Sequence, residues 1–174
     1  MQSEIYKQVT ETLLKGLISG FSTSLINFWY IWALLAAVGI SRLAFGIYHL
    51  YKLNKAGLPQ IDKMSGSEFE EFLGQLFRRL GYKVELVGRT ADYGADLIIE
   101  RDGVKTAVQA KCWSSAVNVK AIQEINTAKA HYNASEAMTV TNSRFTSNAR
   151  ILAKENNVLL IDREKLASLI LQKQ

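Results

Sequence analysis

The chain has 174 residues, a formal net charge of +5, one cysteine and two histidines. A single cysteine, Cys112, excludes an intramolecular disulfide, and three Cys and His residues are too few for a four-ligand structural zinc site. The positive charge suits a nucleic-acid partner and equally suits the basic flanks of a membrane protein, so charge alone selects neither class.

The first part of the chain is predicted to enter a membrane. Residues 16–41 carry no charged side chain, and residues 21–40 approach the ~20 apolar residues that cross a bilayer as a helix. We therefore predict an N-terminal amphipathic segment over 1–20 and a transmembrane segment over 21–51, most simply a single span. A tight hairpin of two spans and a buried core helix are the alternatives.

The charges around this segment predict its orientation. Lys7 and Lys15 precede the uncharged stretch 16–41 or lie at its edge, whereas Arg42, Lys52 and Lys55 follow it. The positive-inside rule then places the C-terminal part in the cytoplasm, at the inner membrane of the cell. A cleaved signal peptide fits less well, because the apolar stretch starts late and is too long.

A linker over 52–61, which contains Pro59, is predicted to join this segment to a domain over 62–174. Residues 64–80 repeat apolar side chains at spacings of three and four, which is typical of one face of a helix. Ser65 followed by Glu68 forms a capping-box pattern at its start, and Gly81 ends it.

The rest of the domain alternates strand and helix patterns. Asp102 and Gly103 form a tight turn that joins two strands into a hairpin. The predicted strands are 82–87, 96–100, 105–113, 137–141 and 158–161, and the predicted helices are 120–131, 147–155 and 163–171. This order predicts an α/β fold with a mixed sheet flanked by helices.

Three polar residues are predicted to converge on the hairpin. Asp96 opens one strand, while Gln109 and Lys111 lie two residues apart on its partner and so project from one sheet face. Phosphodiester hydrolysis needs a cation held by oxygen ligands, an activated water and positive charge near the phosphate. Asp96 can hold the metal, Lys111 can position the water, and Glu70 can add a second carboxylate from the first domain helix.

These residues, in order, resemble a known family. Three motifs occur in order: Phe69-Glu70, then D-x(12)-Q-x-K from Asp96 to Lys111, then TNSRF at 141–145. Together they resemble the Mrr branch of the PD-(D/E)xK nuclease superfamily, a branch of type IV restriction endonucleases. The resemblance extends over about residues 62–170. It implies a restriction-endonuclease-like fold and DNA cleavage with Mg²⁺, with Mn²⁺ as an alternative ion.

The resemblance also implies residue roles. Asp96 and Gln109 would be metal ligands together with the carbonyl of Ala110, Lys111 the catalytic lysine, and Glu70 the acidic residue of the first helix. Ala95 departs from the proline that the wider superfamily has before its aspartate, and Gln109 is a weaker ligand than a carboxylate. The alternative reading is that Asp96 caps a turn after Gly94 and that Gln109 and Lys111 are ordinary solvated residues on an edge strand.

Further residues are predicted to contact double-stranded DNA. Asn142, Ser143 and Arg144 precede a helix and could meet a phosphate there, and Trp113 and Lys120 follow the catalytic strand. Simple alternatives are a helix cap at Ser143 or Ser147 and core packing for Trp113. Gln123, on the next helix, is a candidate for orienting Lys111.

The sequence thus predicts a membrane-anchored, metal-dependent DNA endonuclease that restricts foreign or modified DNA. One alternative is a membrane-tethered DNA-binding or assembly module with little cleavage. Another is a structure-specific nuclease of repair or recombination. A homodimer, in which two sites cut two strands, is left open.

Overall fold

The structure is a computed structural model, and it describes residues 2–87 and 93–172. Residues 1, 88–92 and 173–174 lie outside the described residues. Residues 173–174 are the last two positions of the predicted nuclease domain. The chain divides into two compact units, Met1–His49 and Leu50–Gln174.

The N-terminal unit is helical. Helix α1 covers Gln2–Asn27 and helix α2 covers Trp29–Lys55, so the predicted span 21–40 is interrupted at Phe28. The stretch Trp29–Tyr48 is 20 residues long, has a mean hydropathy of 1.7 and is not buried in the protein. By length and composition, this stretch of α2 is the part of the described chain that could cross a membrane.

The segment predicted as a linker is mostly helical. Helix α2 continues to Lys55, and a short helix, α3, covers Leu58–Ile61. Leu58 and Ile61 are buried in the core of the second unit. Ala56 lies in the same core cluster, so residues 56–61 pack as part of the folded domain.

Helix α4 (Gly66–Arg79) begins and ends near the residues that the sequence indicated. The Glu68 amide donates to Ser65 Oγ at 3.3 Å and the Ser65 amide donates to Glu68 Oε2 at 2.7 Å, which confirms the capping box. The apolar side of α4 is buried, with Phe69, Leu73 and Leu76 almost inaccessible to solvent.

A five-stranded mixed sheet follows, in the order β1-β2-β3-β4-β5. The first three strands are antiparallel neighbours and the last two pairings are parallel. The predicted hairpin is confirmed, and Asp102 and Gly103 both have the positive φ of its two-residue turn. The strands are β1 (Lys83–Leu86), β2 (Leu97–Arg101), β3 (Val104–Lys111), β4 (Glu136–Thr141) and β5 (Val158–Ile161).

Helices cover both sides of the sheet, as predicted. On the side called here the α4 face, Val108 and Ala110 pack with α3, α4 and α7 (Arg163–Leu171). On the opposite side, the α5 face, Ala107 packs with α5 (Val119–His131) and α6 (Ser147–Glu155). Side chains alternate along β3, so Gln109 and Lys111 project toward the α5 face.

Candidate active site

The Asp96 carboxylate is bonded to the strand that carries the other predicted site residues. Its Oδ2 accepts a hydrogen bond from the Ala110 amide at 2.7 Å. The Asp96 amide donates to the Val108 carbonyl at 2.9 Å, and the Asp96 carbonyl accepts from the Val87 amide at 2.9 Å. Backbone pairing on both sides therefore fixes Asp96 beside Gln109 and Lys111.

Gln109 is buried, with 1% of its surface exposed. Its Nε2 donates to Glu124 Oε2 at 2.9 Å, whereas its Oε1 has no hydrogen-bond partner among the described residues. A buried amide oxygen without a partner is costly, so such an atom calls for an explanation such as a bound ion.

Lys111 lies beside the same carboxylate. Its Nζ is 3.7 Å from Glu124 Oε2, and Lys120 Nζ is 3.8 Å from Glu124 Oε1. The Lys111 ammonium also lies 5.8 Å from the centre of the Trp113 ring. Lys111 is thus held between a carboxylate and an aromatic face, with a partly exposed side chain.

Glu124 was missed by the sequence analysis, which assigned its role to Gln123. In the structure Gln123 is exposed, and Glu124, one position later on α5, makes the contacts with the site. The available sequence signal was the spacing of four between Lys120 and Glu124, which favours an ion pair on a helix. That spacing also occurs on helices without a functional site.

The loop before Asp96 packs closely on α5 at Glu124. Gly94 has φ +92°, and a Cβ atom built on it would lie 2.9 Å from the backbone carbonyl carbon and oxygen of Glu124. Next to it, the Tyr93 ring stacks on His131 with 3.7 Å between ring centres. The absence of a side chain at 94 therefore allows the Asp96 loop to dock on the helix that supplies Glu124.

Glu70 is half-buried on α4. Its neighbour Phe69 packs on the α4 face, against Val108 and Ala110, whereas Gln109 and Lys111 project to the other face. Among residues 2–87 and 93–172, no three His, Cys, Asp or Glu side chains come together as a metal cluster. The three carboxylates Glu70, Asp96 and Glu124 therefore do not form such a group.

The donor atoms nevertheless suit a hard divalent cation. Mg²⁺ is commonly held by one or two carboxylates, with waters and substrate phosphates filling the other positions. Asp96 offers a carboxylate, and the unpartnered Oε1 of Gln109 offers a neutral oxygen. The carbonyl of Ala110 and the carboxylate of Glu70 remain predicted ligands.

Asn142, a predicted DNA contact, is 4% exposed and is bonded inside the domain. Its Oδ1 accepts from the Trp113 amide at 2.8 Å, and its Nδ2 donates to Asp62 Oδ1 at 3.0 Å. Its carbonyl accepts from Arg163 Nη1 at 2.8 Å. Asn142 thereby ties the chain after β3 to the start of α7.

Asp62 and Arg163 complete this network. Arg163 Nη1 and Nη2 donate to the two Asp62 oxygens at 2.7 and 2.8 Å. The hydrogen bond from Arg163 is the main cause that holds the pKa of Asp62 below its usual value. A bidentate guanidinium pair of this kind fixes the relative orientation of its two chain segments.

The other predicted DNA contacts are more accessible. Arg144 and Lys120 are exposed, Ser143 is half-buried, and Trp113 is 43% exposed. The N-cap of α6 is Thr146, whose Oγ1 accepts from the Ala149 amide at 3.2 Å, so neither Ser143 nor Ser147 caps this helix. Arg144, Lys120 and Trp113 are thus open to a ligand in solution.

Comparison with known structures relates the fold to restriction enzymes. The DNA modification-dependent restriction endonuclease AspBHI is 21% identical with a TM-score of 0.52, over 68% of this chain and 35% of that one. The MspJI restriction endonuclease, solved in complex with a 27-mer oligonucleotide, is 21% identical with a TM-score of 0.50, over 70% and 30%. At this identity, the likeness supports the fold alone.

Sequence comparison identifies the family. The type IV methyl-directed restriction enzyme EcoKMrr of Escherichia coli (strain K12) is 32% identical over an alignment of 126 residues, and the match covers 67% of this chain and 41% of that protein. This chain therefore spans less than half the length of that relative. The family described as restriction endonuclease, Mrr_cat, matches residues 61–170. The chain thus belongs to the Mrr catalytic-domain family of restriction endonucleases.

Proposed function

We propose that this protein is a DNA endonuclease that hydrolyses phosphodiester bonds with a divalent metal ion, anchored to a membrane by α2. The observation that carries the proposal is the bond of the Asp96 carboxylate to the Ala110 amide, between Gln109 and Lys111 on β3. This bond keeps an anionic oxygen ligand, a neutral oxygen ligand and an ammonium on one short segment.

Each residue has a distinct chemical task in this proposal. Asp96 and the Oε1 of Gln109 would hold Mg²⁺ or Mn²⁺, with the Ala110 carbonyl and Glu70 as further ligands. When bound, the ion would polarise the phosphate and lower the pKa of a bound water. Lys111 supplies positive charge for the developing charge of the phosphate oxygens and positions the attacking water. Its contacts with Glu124 and Trp113 keep it oriented.

DNA contacts are proposed around this site. Arg144 and Lys120 offer exposed cations for phosphates, and Trp113 offers an exposed ring for a sugar or base. Ser143 is proposed as a further contact. We propose that Asn142 supports these contacts through the backbone of Trp113, because its own polar atoms are bonded within the domain.

Modified DNA is the proposed substrate. The relative from Escherichia coli is named a methyl-directed restriction enzyme, and this chain matches less than half of it. We propose methylated or foreign DNA as the substrate of this chain as well, because the two proteins share the catalytic domain. A homodimer would bring two such sites to the two strands of a duplex.

Anchoring at the inner membrane, with the nuclease domain in the cytoplasm, is also proposed. The stretch Trp29–Tyr48 is long and apolar enough to span the bilayer. Within about 20 residues of its ends, Lys52, Lys55 and Lys63 follow this stretch and Lys15 precedes it, an excess that favours the cytoplasm for the C-terminal side by the positive-inside rule. Fractionation, followed by protease treatment of right-side-out vesicles, tests this: the domain should stay with the membrane and be protected from the protease.

The decisive experiment measures nicking of supercoiled plasmid by the full chain in mild detergent. Methylated and unmethylated plasmids are compared with Mg²⁺, Mn²⁺ or a chelator. Asp96→Asn and Lys111→Ala should each reduce cutting by about 100-fold or more, the usual loss for a group that stabilises transition-state charge. Asp102→Asn is the matched control, because it removes a carboxylate from the far end of the same hairpin.

Other outcomes would change the assignment. DNA binding without cutting on any substrate would replace the proposal by a tethered binding module. Cutting of branched DNA in preference to methylated linear DNA would favour a repair or recombination nuclease. Cutting that persists in Asp96→Asn would remove the proposed site.

A further inference from the structure

The carboxylate of Glu124 contacts three polar side chains. Its Oε2 accepts from Gln109 Nε2 at 2.9 Å and lies 3.7 Å from Lys111 Nζ, and its Oε1 lies 3.8 Å from Lys120 Nζ. Two of these partners are predicted site residues from β3. Neither the sequence motif nor the family resemblance assigned a role to this glutamate.

We propose that Glu124 is a positioning residue that sets the orientation of the Gln109 amide and holds Lys111 in place. The inference rests on the proposed function, because it concerns the presentation of Gln109 and Lys111 to a metal ion and a phosphate. It assigns the role to α5, on the sheet face opposite to α4 and Glu70.

The orientation of Gln109 follows from the chemistry of its partner. The two ends of a side-chain amide have nearly the same shape, but one end donates hydrogen bonds and the other accepts them. An ionised carboxylate only accepts, so Glu124 selects the orientation with Nε2 toward it. The Oε1 is then turned away from Glu124, and it is the atom left without a partner in the described part of the chain.

Glu124 also balances charge. Lys111 and Lys120 lie near opposite oxygens of the one carboxylate, so Lys120 is held beside the site as well. Lys111 has 23% of its side chain exposed and Glu124 35%, so solvent screens this pair only in part. Removal of the Glu124 charge should therefore free Lys111 from its position.

The main chain of Glu124 is itself fixed by the Asp96 loop. Gly94 approaches its carbonyl so closely that a Cβ atom would lie at 2.9 Å. One residue of α5 thus touches the Asp96 loop with its backbone and contacts Gln109 and Lys111 with its side chain. A displacement of Glu124 would therefore disturb the Asp96 loop, Gln109 and Lys111 together.

The test measures metal binding separately from cutting. Mn²⁺ binding to the full chain in mild detergent is followed by electron paramagnetic resonance, for wild type and for Glu124→Gln. This variant keeps the shape but can either donate to or accept from Gln109. We expect Mn²⁺ affinity to fall about 10- to 100-fold, the usual effect of removing a residue that orients a metal ligand. Glu155→Gln, the same change on α6, is the matched control.

A double variant separates orientation from a general structural effect. With Gln109→Glu added to Glu124→Gln, residue 109 becomes a carboxylate whose two oxygens are equivalent, and residue 124 can donate to it. Because no orientation then has to be selected and a carboxylate is a stronger ligand than an amide, Mn²⁺ affinity should return to the wild-type value or exceed it. Unfolding temperatures measured on the same samples report any loss of folding.

Each outcome is informative. Wild-type affinity in Glu124→Gln, or a double variant as weak as the single one, would overturn the inference and leave the nuclease proposal standing. Weakened and then restored Mn²⁺ binding, in a protein that cuts no DNA, would support the inference and refute the proposed function. A wild-type chain that binds no Mn²⁺ would refute both.

Discussion

The substitution Gly94→Ala tests how the Asp96 loop is held on α5. Gly94 has φ +92°, and its missing Cβ would lie 2.9 Å from the carbonyl carbon and oxygen of Glu124. An L-residue with positive φ costs about 1–2 kcal/mol, partly offset by about 0.4–1 kcal/mol from a less flexible unfolded chain. The contact with backbone adds about 1–3 kcal/mol, as for an overpacked core position.

Gly81→Ala provides the matched control. Gly81 has φ +90°, almost the same as Gly94, but a Cβ atom there would meet nothing within 4 Å. The difference between the two variants therefore isolates the close approach from the backbone conformation. We expect the free energy of unfolding of Gly94→Ala to lie about 1–3 kcal/mol below that of Gly81→Ala.

Urea unfolding of the full chain in mild detergent, followed by near-ultraviolet circular dichroism, measures this difference. Metal-dependent cutting should fall further in Gly94→Ala than in Gly81→Ala, because the clash displaces the loop that leads to Asp96. Equal unfolding free energies in the two variants would refute the close packing of the loop on α5. Equal cutting would refute its importance for Asp96.

Three other predictions concern the network beside the site and the single cysteine. Asn142→Ala should lower the free energy of unfolding by about 1–3 kcal/mol, because the partly buried Trp113 amide loses its acceptor. Arg144→Ala should leave stability unchanged and weaken DNA binding in a gel-shift assay. The pKa of Asp62 is lowered from 3.8, chiefly by the hydrogen bond from Arg163, so its stabilising effect is full above that value and is lost as the pH falls through the folded-state pKa. Asp62→Asn should therefore be less stable than wild type at pH 7, and the difference should narrow as the pH falls below 3.8; a difference that is the same at every pH would contradict this. Burial raises the pKa of the Cys112 thiol, so iodoacetamide should modify it more slowly in the folded chain at pH 8 than after denaturation, as mass spectrometry would measure.

Local patterns in the sequence were sufficient for much of the fold. The capping box of Ser65 and Glu68, the Asp102-Gly103 turn and the helix and strand periods depend on neighbours within a few residues. Alternation along β3 likewise put Gln109 and Lys111 on one face without knowledge of the rest of the chain. The order of motifs then led to the family that the comparisons identify.

Other features were decided by packing between distant segments. A helix turns by about 100° per residue, so whether Gln123 or Glu124 meets the sheet depends on how Ile122 and Ile125 are buried beneath α5. The Asn142 side chain is bonded inside the domain because it donates to Asp62, which is 80 residues away along the chain. No local pattern carries that information.

The chain before the domain illustrates the same division. Composition by itself determined that an apolar stretch long enough for a membrane lies near the N-terminus. The burial of Leu58 and Ile61 was decided only in three dimensions. Hydrophobicity establishes which side chains avoid water, but only the tertiary structure determines which of them pack against one another.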